Sequence, residues 1–433
     1  MSLLAAGLVL VALLFLLLAL GVYVGLALLL VGTAGLALFT TAPPGPNVAT
    51  ALWTSTSSWS LAALPLFVWM GEILYRSRLA QELFQGLAPL LGRLPGGLLH
   101  MNVVASALFA AVIGSSAATT ATVGRFTLPE LLRQGYPKAL ALGSLAGAGT
   151  LGFMIPPSIV MIVYGVMAEV SVARLFMAGV VPGLLLTLLF MLTVALLAHR
   201  HRKALPRGPS PASREALKGL LSVLPVLFLI LLVLGSIYLG VATPTEAAAI
   251  GVAGAFLLTV LRREFGLELF RESLLGAVRT TSMIGLILAG AGVLTLAMGF
   301  TGIPRALATW AVEAGITPIA LVLFLSLVYI LLGWFLDGIS IVVLTISVIL
   351  PVVKAIGLDP LWFGVYLVLM VELAQITPPV GFNLFVLQSL SGEDLFRIAR
   401  YSLPFMGVLL LMVALLVAFP GLATWLPRTM TGG

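Results

Sequence analysis

Glu372, Gln375, Thr377 and Asn383 are the polar side chains of ELAQITPPVGFN, residues 372–383, in an apolar run that otherwise suits a single bilayer-crossing helix. Pro378 and Pro379 forbid that helix, because proline lacks an N–H and clashes with the preceding turn. Main-chain groups freed at membrane depth are tolerated only where they line a cavity or bind something. A second such stretch, TLGFMIPPSIVM at 150–161, carries Pro156 and Pro157. Unwound carbonyls are hard oxygen ligands that suit a small cation such as Na+. The opposing half-helix N-termini offer N–H donors and positive dipole ends, which suit a carboxylate. Holding both ions together removes most of the cost of holding either, a physical basis for symport.

Other polar residues accompany the two breaks. Gly114-Ser115-Ser116 lies between two short apolar or small-residue arms, and Asp337-Gly338 occupies the like place downstream. Each reads as the tip of a re-entrant helical hairpin facing the break of a crossing helix. Hydroxyls of Ser115, Ser116 and Thr377 are candidate cation ligands; tight-turn chemistry is the other reading of Ser115 and Ser116. Asp337 either joins a cation site or caps the helix after the tip. Glu372 either lines the pathway or bonds a neighbouring helix. Arg125 either holds a substrate carboxylate or snorkels to the surface. Glu72 contacts a partner subunit or a surface helix. Arg125, Ser116 and the backbone at Pro156 and Pro378 are the expected substrate contacts.

The elements that position these residues follow from an internal register. Adding 222 to Pro129, Pro156, Pro157 and Pro182 gives Pro351, Pro378, Pro379 and Pro404, in a chain with 25 prolines. The same offset carries Ser115 to Asp337, Ser116 to Gly338 and Arg125 to Ser347. This is a duplication of residues 60–198 and 282–420. Paired broken helices in two repeats are the best sequence pointer to a transporter's binding site. The expected partition is N-terminal helices at 1–59, a first repeat at 60–198, a basic loop with connecting helices at 199–281, and a second repeat at 282–433. Crossings are expected at 2–18, 22–40, 61–75, 139–168, 175–198, 220–240, 246–261, 276–298, 361–390 and 402–420. Surface segments are expected at 79–93, 262–274 and 299–316, and a loop at 41–58. Thr243-Pro244-Thr245-Glu246 resembles a capping box. The fold class is an all-α polytopic membrane protein with two inverted repeats, ten crossings, two re-entrant hairpins and two broken helices.

Composition agrees. The 433 residues are 61% hydrophobic and 9% charged, against ~25% charged in soluble domains. In this setting the net charge of +7 reports topology rather than nucleic-acid binding. No cysteine is present, and two of the three histidines, His199 and His201, sit in a basic loop. That excludes thiolate chemistry and argues against a histidine metal site. The first 40 residues read as membrane helices rather than a removable signal. Of the 22 Lys and Arg residues, 17 fall on one side of the ten-crossing arrangement and four on the other, with Arg125 inside a hairpin. The rich side is then cytoplasmic, both termini are periplasmic, and the repeats are inverted.

These stretches resemble the large membrane subunit of tripartite ATP-independent periplasmic (TRAP) transporters, within the ion-transporter superfamily. The matching segments are PLFVWMGEILYRSRLA, NVVASALFAAVIGSSAATTATVGRFTLPELLRQGY, GTLGFMIPPSIVMIVYG, ATPTEAAAIGV, FLDGISIVVLTISVILPVV and ELAQITPPVGFNLFVL, which span nearly the whole chain. The resemblance implies Na+-driven uptake of carboxylate solutes by an elevator motion in a bacterial inner membrane. It implies a small four-helix membrane subunit and a periplasmic substrate-binding protein as partners. It also implies one Na+ at Ser116, Gly152, Ile155 and Pro157, and a second at Gly333, Ala374, Thr377 and Val380. This sequence departs from the family at Ile113, usually Ser, at Ala374, usually Gly, near Met370, where Asn is usual, and at Gly338. Only two spans precede the PLF…GE segment, so the small subunit is expected to be a separate chain.

Two other classes are weighed. A single-component dicarboxylate or citrate carrier of the same superfamily shares the chemistry and differs in transporting alone. A membrane protease would need paired aspartates or a Ser–His pair. Asp337 is the single Asp in an expected membrane segment, and His100 is expected at the membrane surface. No enzyme activity is therefore expected.

Overall fold

The computed structural model describes residues 3–92, 94–206 and 213–430. Arg93 and the part of the basic loop at 207–212, Arg207 included, lie outside the described residues. The regular secondary structure of the described residues is all helical, with no strand.

The 222-residue register recurs in the elements. Ser116–Arg133 maps onto 338–355, the bounds of helix Gly338–Ala355. Lys138–Met154 and Ile159–Ala168 map onto 360–376 and 381–390, against helices Pro360–Gln375 and Phe382–Ser391. The correspondence also reaches upstream of residue 60. Val24–Phe39 maps onto 246–261, within helix Pro244–Leu261.

One pair of equivalents differs. Pro44–Thr56 is a helix rather than the expected loop, because its three prolines stand at or before its first turn, where no N–H is required. It bends by 52° into the next segment, Trp59–Arg76. The hydroxyls of Thr54, Ser55 and Thr56 bond carbonyls one turn back at Thr50, Ala51 and Leu52 just before the bend, a pattern that competes with helical geometry. Its counterpart is the unbroken 35-residue helix Leu267–Thr301. That helix absorbs both the expected surface segment at 262–274, from residue 267 onward, and the span at 276–298.

Among the described residues, seven helices are long and apolar enough to cross a membrane, or eight with the bent pair counted as one. Of the expected crossings, 139–168, 175–198, 220–240, 246–261, 276–298 and 402–420 fall in such helices, and 61–75 falls in the bent pair. The crossings at 2–18, 22–40 and 361–390 correspond to shorter apolar helices. The seventh long helix is Gly338–Ala355, the second arm of the downstream hairpin.

Burial separates the centre from the rim. In the most apolar window of Lys138–Ala168, 83% of residues are buried, against 28% for Val172–Arg200 and for Gly219–Tyr238. The outer helices present leucines to lipid; the broken helix is surrounded by protein. Away from it, Val24–Phe39 and Leu267–Thr301 approach each other through glycines. A Cβ on Gly25 would lie 2.7 Å from Leu286 O, one on Gly32 would lie 2.7 Å from Leu294 N, and one on Gly290 would strike Gly25 O. Small residues give membrane helices their close packing. Helix Ala63–Arg76 joins this wall through Trp69, whose ring sits 5.4 Å from Phe256 and 5.7 Å from Phe270.

The segment expected along the surface is helix Leu79–Leu91, with Leu79, Leu83, Phe84, Leu87 and Leu91 buried. His100, expected at the surface, is buried beside the Pro95 carbonyl at 2.8 Å. The capping box is present: Thr243 N–H donates to Glu246 Oε2 at 2.8 Å, and Glu246 N–H donates to Thr243 Oγ1 at 3.4 Å.

Ion pairs tie helix ends together. Arg76 pairs with Glu72 at 3.0 Å and Glu272 at 3.4 Å, and Arg262 pairs with Glu82. Lys138 at the start of the first crossing helix meets Glu393 beyond the second at 2.7 Å, and Arg397 joins at 3.1 Å. Hydrogen bonds from Lys138 and Arg397 hold the Glu393 carboxyl below the usual carboxylate range. A depressed carboxylate stabilises the fold above its unfolded pKa of ~4.3 and loses that contribution as pH falls through the folded value. Glu393→Gln should therefore lower the unfolding temperature of the detergent-purified protein at pH 7. The gap to the parent should close on acidification below pH ~4. A gap that persists in acid would refute the linkage.

Candidate functional site

The first crossing helix ends at Met154, runs through Ile155-Pro156-Pro157-Ser158, and restarts at Ile159. In an unbroken helix the carbonyls of Gly152 and Phe153 would accept the amides of residues 156 and 157. Both are prolines, so neither carbonyl has that donor. The second crossing helix repeats the arrangement: Ala374 and Gln375 face Pro378 and Pro379. Ala374 O takes the Thr377 N–H instead, at 3.3 Å. Both Pro–Pro peptides are cis.

The hairpin tips close on these breaks. Gly114 ends the first arm at φ +66°, and its carbonyl accepts the Ile159 N–H at 3.2 Å. A Cβ there would lie 2.7 Å from Pro157 O, so both backbone angle and space require glycine. On the other side of the contact, a Cβ on Gly152 would sit 2.5 Å from Ser115 O and Ser116 Cα. In the second repeat, a Cβ on Gly333 would strike that of Ala374. The second arms then cross over: Ser116–Arg133 packs on Phe382–Ser391, and Gly338–Ala355 packs on Ile159–Ala168.

A buried polar cluster joins the two repeats. Ser116 Oγ lies 3.1 Å from Gly149 O and 3.3 Å from Glu372 Oε2, and accepts from Asn383 Nδ2 at 2.9 Å. Glu372 Oε1 accepts the Phe153 N–H at 2.7 Å. Ser116, Glu372 and Asn383 are all fully buried. Asn383 Oδ1 and the neighbouring Thr119 Oγ1 are buried with no hydrogen-bond partner.

A cavity of about 600 Å³ opens beside the tips. Ser115, Ile159, Asp337, Gly338, Ser340, Gln375 and Phe382 line one wall; Tyr23, Gly25, Glu72, Tyr75, Thr280 and Met283 line the other. Its charged lining residues are Glu72 and Asp337, with no basic side chain among them. Glu72 is paired with Arg76. Asp337 caps helix Gly338–Ala355, accepting the Ile339 N–H at 3.1 Å and the Ser340 hydroxyl.

The expected residues therefore divide. Ser115, Asp337 and Gly338 reach the cavity. Ser116, Gly152, Pro156 and Pro157 are buried behind the first tip, with Ile155 half-buried beside them. Gly333, Ala374 and Thr377 gather behind the second tip, Pro378 and Val380 are half-buried, and the Thr377 hydroxyl donates to Leu373 O at 2.7 Å. Arg125 does not line the cavity. It is exposed, with its guanidinium over the Tyr75 ring, 6.0 Å from the centroid. The sequence reasoning missed the far wall: it read Glu72 there as a contact with a partner subunit or a surface helix, and it passed over the polar run Arg279-Thr280-Thr281-Ser282.

Comparison with known proteins fits this geometry. The family model for the DctM component of tripartite ATP-independent periplasmic transporters matches residues 11–422. The chain belongs to this family of large TRAP permease components. It is 36% identical over 383 residues to the C4-dicarboxylate TRAP large permease of Pseudomonas aeruginosa, covering 88% of this chain and 89% of that one. It is 30% identical to the sialic acid TRAP large permease of Vibrio cholerae, covering 95% and 96%. Its fold is similar to the Alcanivorax borkumensis YdaH transporter, with a TM-score of 0.62 at 16% identity over 92% of this chain and 97% of that one.

The permease's tips are sensitive to added volume. Gly152→Ala should lower the unfolding temperature by the equivalent of ~1–3 kcal/mol, the usual cost of overpacking, and should cut transport, because the new methyl meets backbone at Ser115 and Ser116. Gly235→Ala, with nothing within 4 Å of the new methyl, is the control and should leave both unchanged. Equal behaviour of the two variants would refute the close fit at the first tip.

Proposed function

We propose that this permease imports carboxylate-containing solutes by Na+ symport across a bacterial inner membrane. A periplasmic binding protein delivers the solute, and a separate small membrane subunit completes the transporter. The observation that carries the reading is the pair of donor-stripped breaks, each closed by a hairpin tip, behind one cavity. The donors near the tips are all oxygen: main-chain carbonyls at Gly152, Ile155 and Pro157 with Ser116, and carbonyls at Gly333, Ala374 and Val380 with Thr377. Oxygen-only sets fit a hard cation, and the unpartnered Asn383 Oδ1 and Thr119 Oγ1 leave buried acceptor capacity at the first tip. Among the described residues no cluster of three or more His, Cys, Asp and Glu side chains competes for a transition metal.

The helix start at Ser116, which has no side-chain cap, lies next to the cavity and presents a positive dipole end to an anionic solute, whereas the start at Gly338 is already capped by the Asp337 carboxylate. Arg125, exposed beside the cavity-lining Tyr75 and without an ion-pair partner among the described residues, is a basic group that could draw the solute in. The interlocked hairpins and breaks suit a body that moves as one against the glycine-packed wall, which supports an elevator motion. The basic-residue split supports a periplasmic location for both termini.

Reconstitution tests this reading. Uptake into liposomes should require both partners and an inward Na+ gradient. Uptake by the permease alone would instead indicate a single-component carrier. Thr377→Val should raise the Na+ concentration for half-maximal uptake about tenfold, ~1.4 kcal/mol, while the protein still folds. An unchanged Na+ response would remove Thr377 from the second site.

A further inference from the structure

We infer that Glu372 and Asn383, both in the second repeat, are positioning residues for the cation site of the first repeat, an inference that rests on the sodium reading above. The hydrogen bonds carry it. Phe153 N–H, whose regular helical acceptor is Gly149 O, donates to Glu372 Oε1 at 2.7 Å. Gly149 O accepts from Ser116 Oγ at 3.1 Å, and Ser116 Oγ accepts from Asn383 Nδ2 at 2.9 Å. The turn that bears the donor-stripped Gly152 and Phe153 carbonyls is thus held from across the molecule. So is the first residue after the hairpin tip. A fully buried carboxylate is costly unless something compensates it, and among the described residues Glu372 has no basic partner in an ion pair. A cation bound at Ser116 would lie next to the carboxylate oxygen 3.3 Å from that hydroxyl, and each charge would offset the other's desolvation.

The second repeat has no such brace. Subtracting 222 from Glu372 and Asn383 gives Thr150 and Met161, and adding it to Ser116 gives Gly338. The backbone scaffold is duplicated, but the clamp is single. The two cation sites therefore differ: the first is held by both repeats and depends on them staying together, whereas the second is built from its own hairpin and break.

The test is a sodium titration of the unfolding temperature of the purified full-length permease, with no transport step. The parent should be stabilised by Na+. Glu372→Gln keeps an acceptor for the Phe153 amide and removes the charge. It should unfold near the parent temperature without Na+ and need at least tenfold more Na+ for half-maximal stabilisation. Asn383→Ala should need several-fold more, and it decides the matter should Glu372→Gln fail to fold. Titration of either folded variant at the parent's Na+ concentration would overturn the inference while leaving sodium coupling intact. A parent indifferent to Na+ would instead overturn the sodium reading, and this inference with it.

Discussion

The structure depends on carbonyl oxygens that have lost their donors. A bilayer offers no water to satisfy them, and Pro156, Pro157, Pro378 and Pro379 each delete an amide that a continuous helix would have supplied. The remedy is local. Each break is met by a hairpin tip whose backbone comes within van der Waals distance, and glycine stands where a side chain would hold them apart. At the first break the tip returns a hydrogen bond, Ile159 N–H to Gly114 O. The carbonyls that have lost their regular helical donors, at Gly152, Phe153, Ala374 and Gln375, are confined to the two breaks.

Duplication explains the scaffold but not its chemistry. Equivalent residues occupy equivalent helices to within a residue or two across the hairpin second arms and both broken helices. The polar side chains do not follow the register. Asp337 serves as a cap at the position equivalent to Ser115, and the Ser116–Glu372–Asn383 cluster has no counterpart. Backbone geometry is retained because two prolines and a close-packed glycine dictate it. On the proposed reading, side chains are free to diverge because main-chain oxygens suffice for ligation.

Legibility in the sequence followed the same division. The breaks, the tips and the Thr243–Glu246 capping box were readable because each is a local event written in proline, glycine or a capping residue. Asp337 as a cap and Glu372 as a bond to a neighbouring helix were each one of two open readings until the fold placed Ile339 N and Phe153 N beside them. Helix Pro44–Thr56 was hidden by prolines that cluster at its start, where they do no harm. The join of 267–274 to the span that follows was hidden by Arg271 and Glu272, which suggested a surface face but pair off or project beyond it. The far wall of the cavity was unreadable: Tyr23, at the N-cap of Val24–Phe39, and Tyr75 and Thr280, on two other helices, meet only through long-range packing.

That far wall bears on how one architecture serves relatives named for solutes as unlike a C4-dicarboxylate and a sialic acid. On the proposed reading, the near wall is anchored by backbone constraints and offers an anion little beyond the helix start at Ser116, small hydroxyls and a neighbouring cation. These features recognise a carboxylate without reading the rest of the molecule. The opposite wall carries the Tyr23 and Tyr75 rings, Glu72, Met283 and Thr280, side chains that do not take part in a break. On the proposed reading, then, the charge that all such solutes share is bound by invariant geometry. Their differences in size and polarity fall against side chains that can change without disturbing a break.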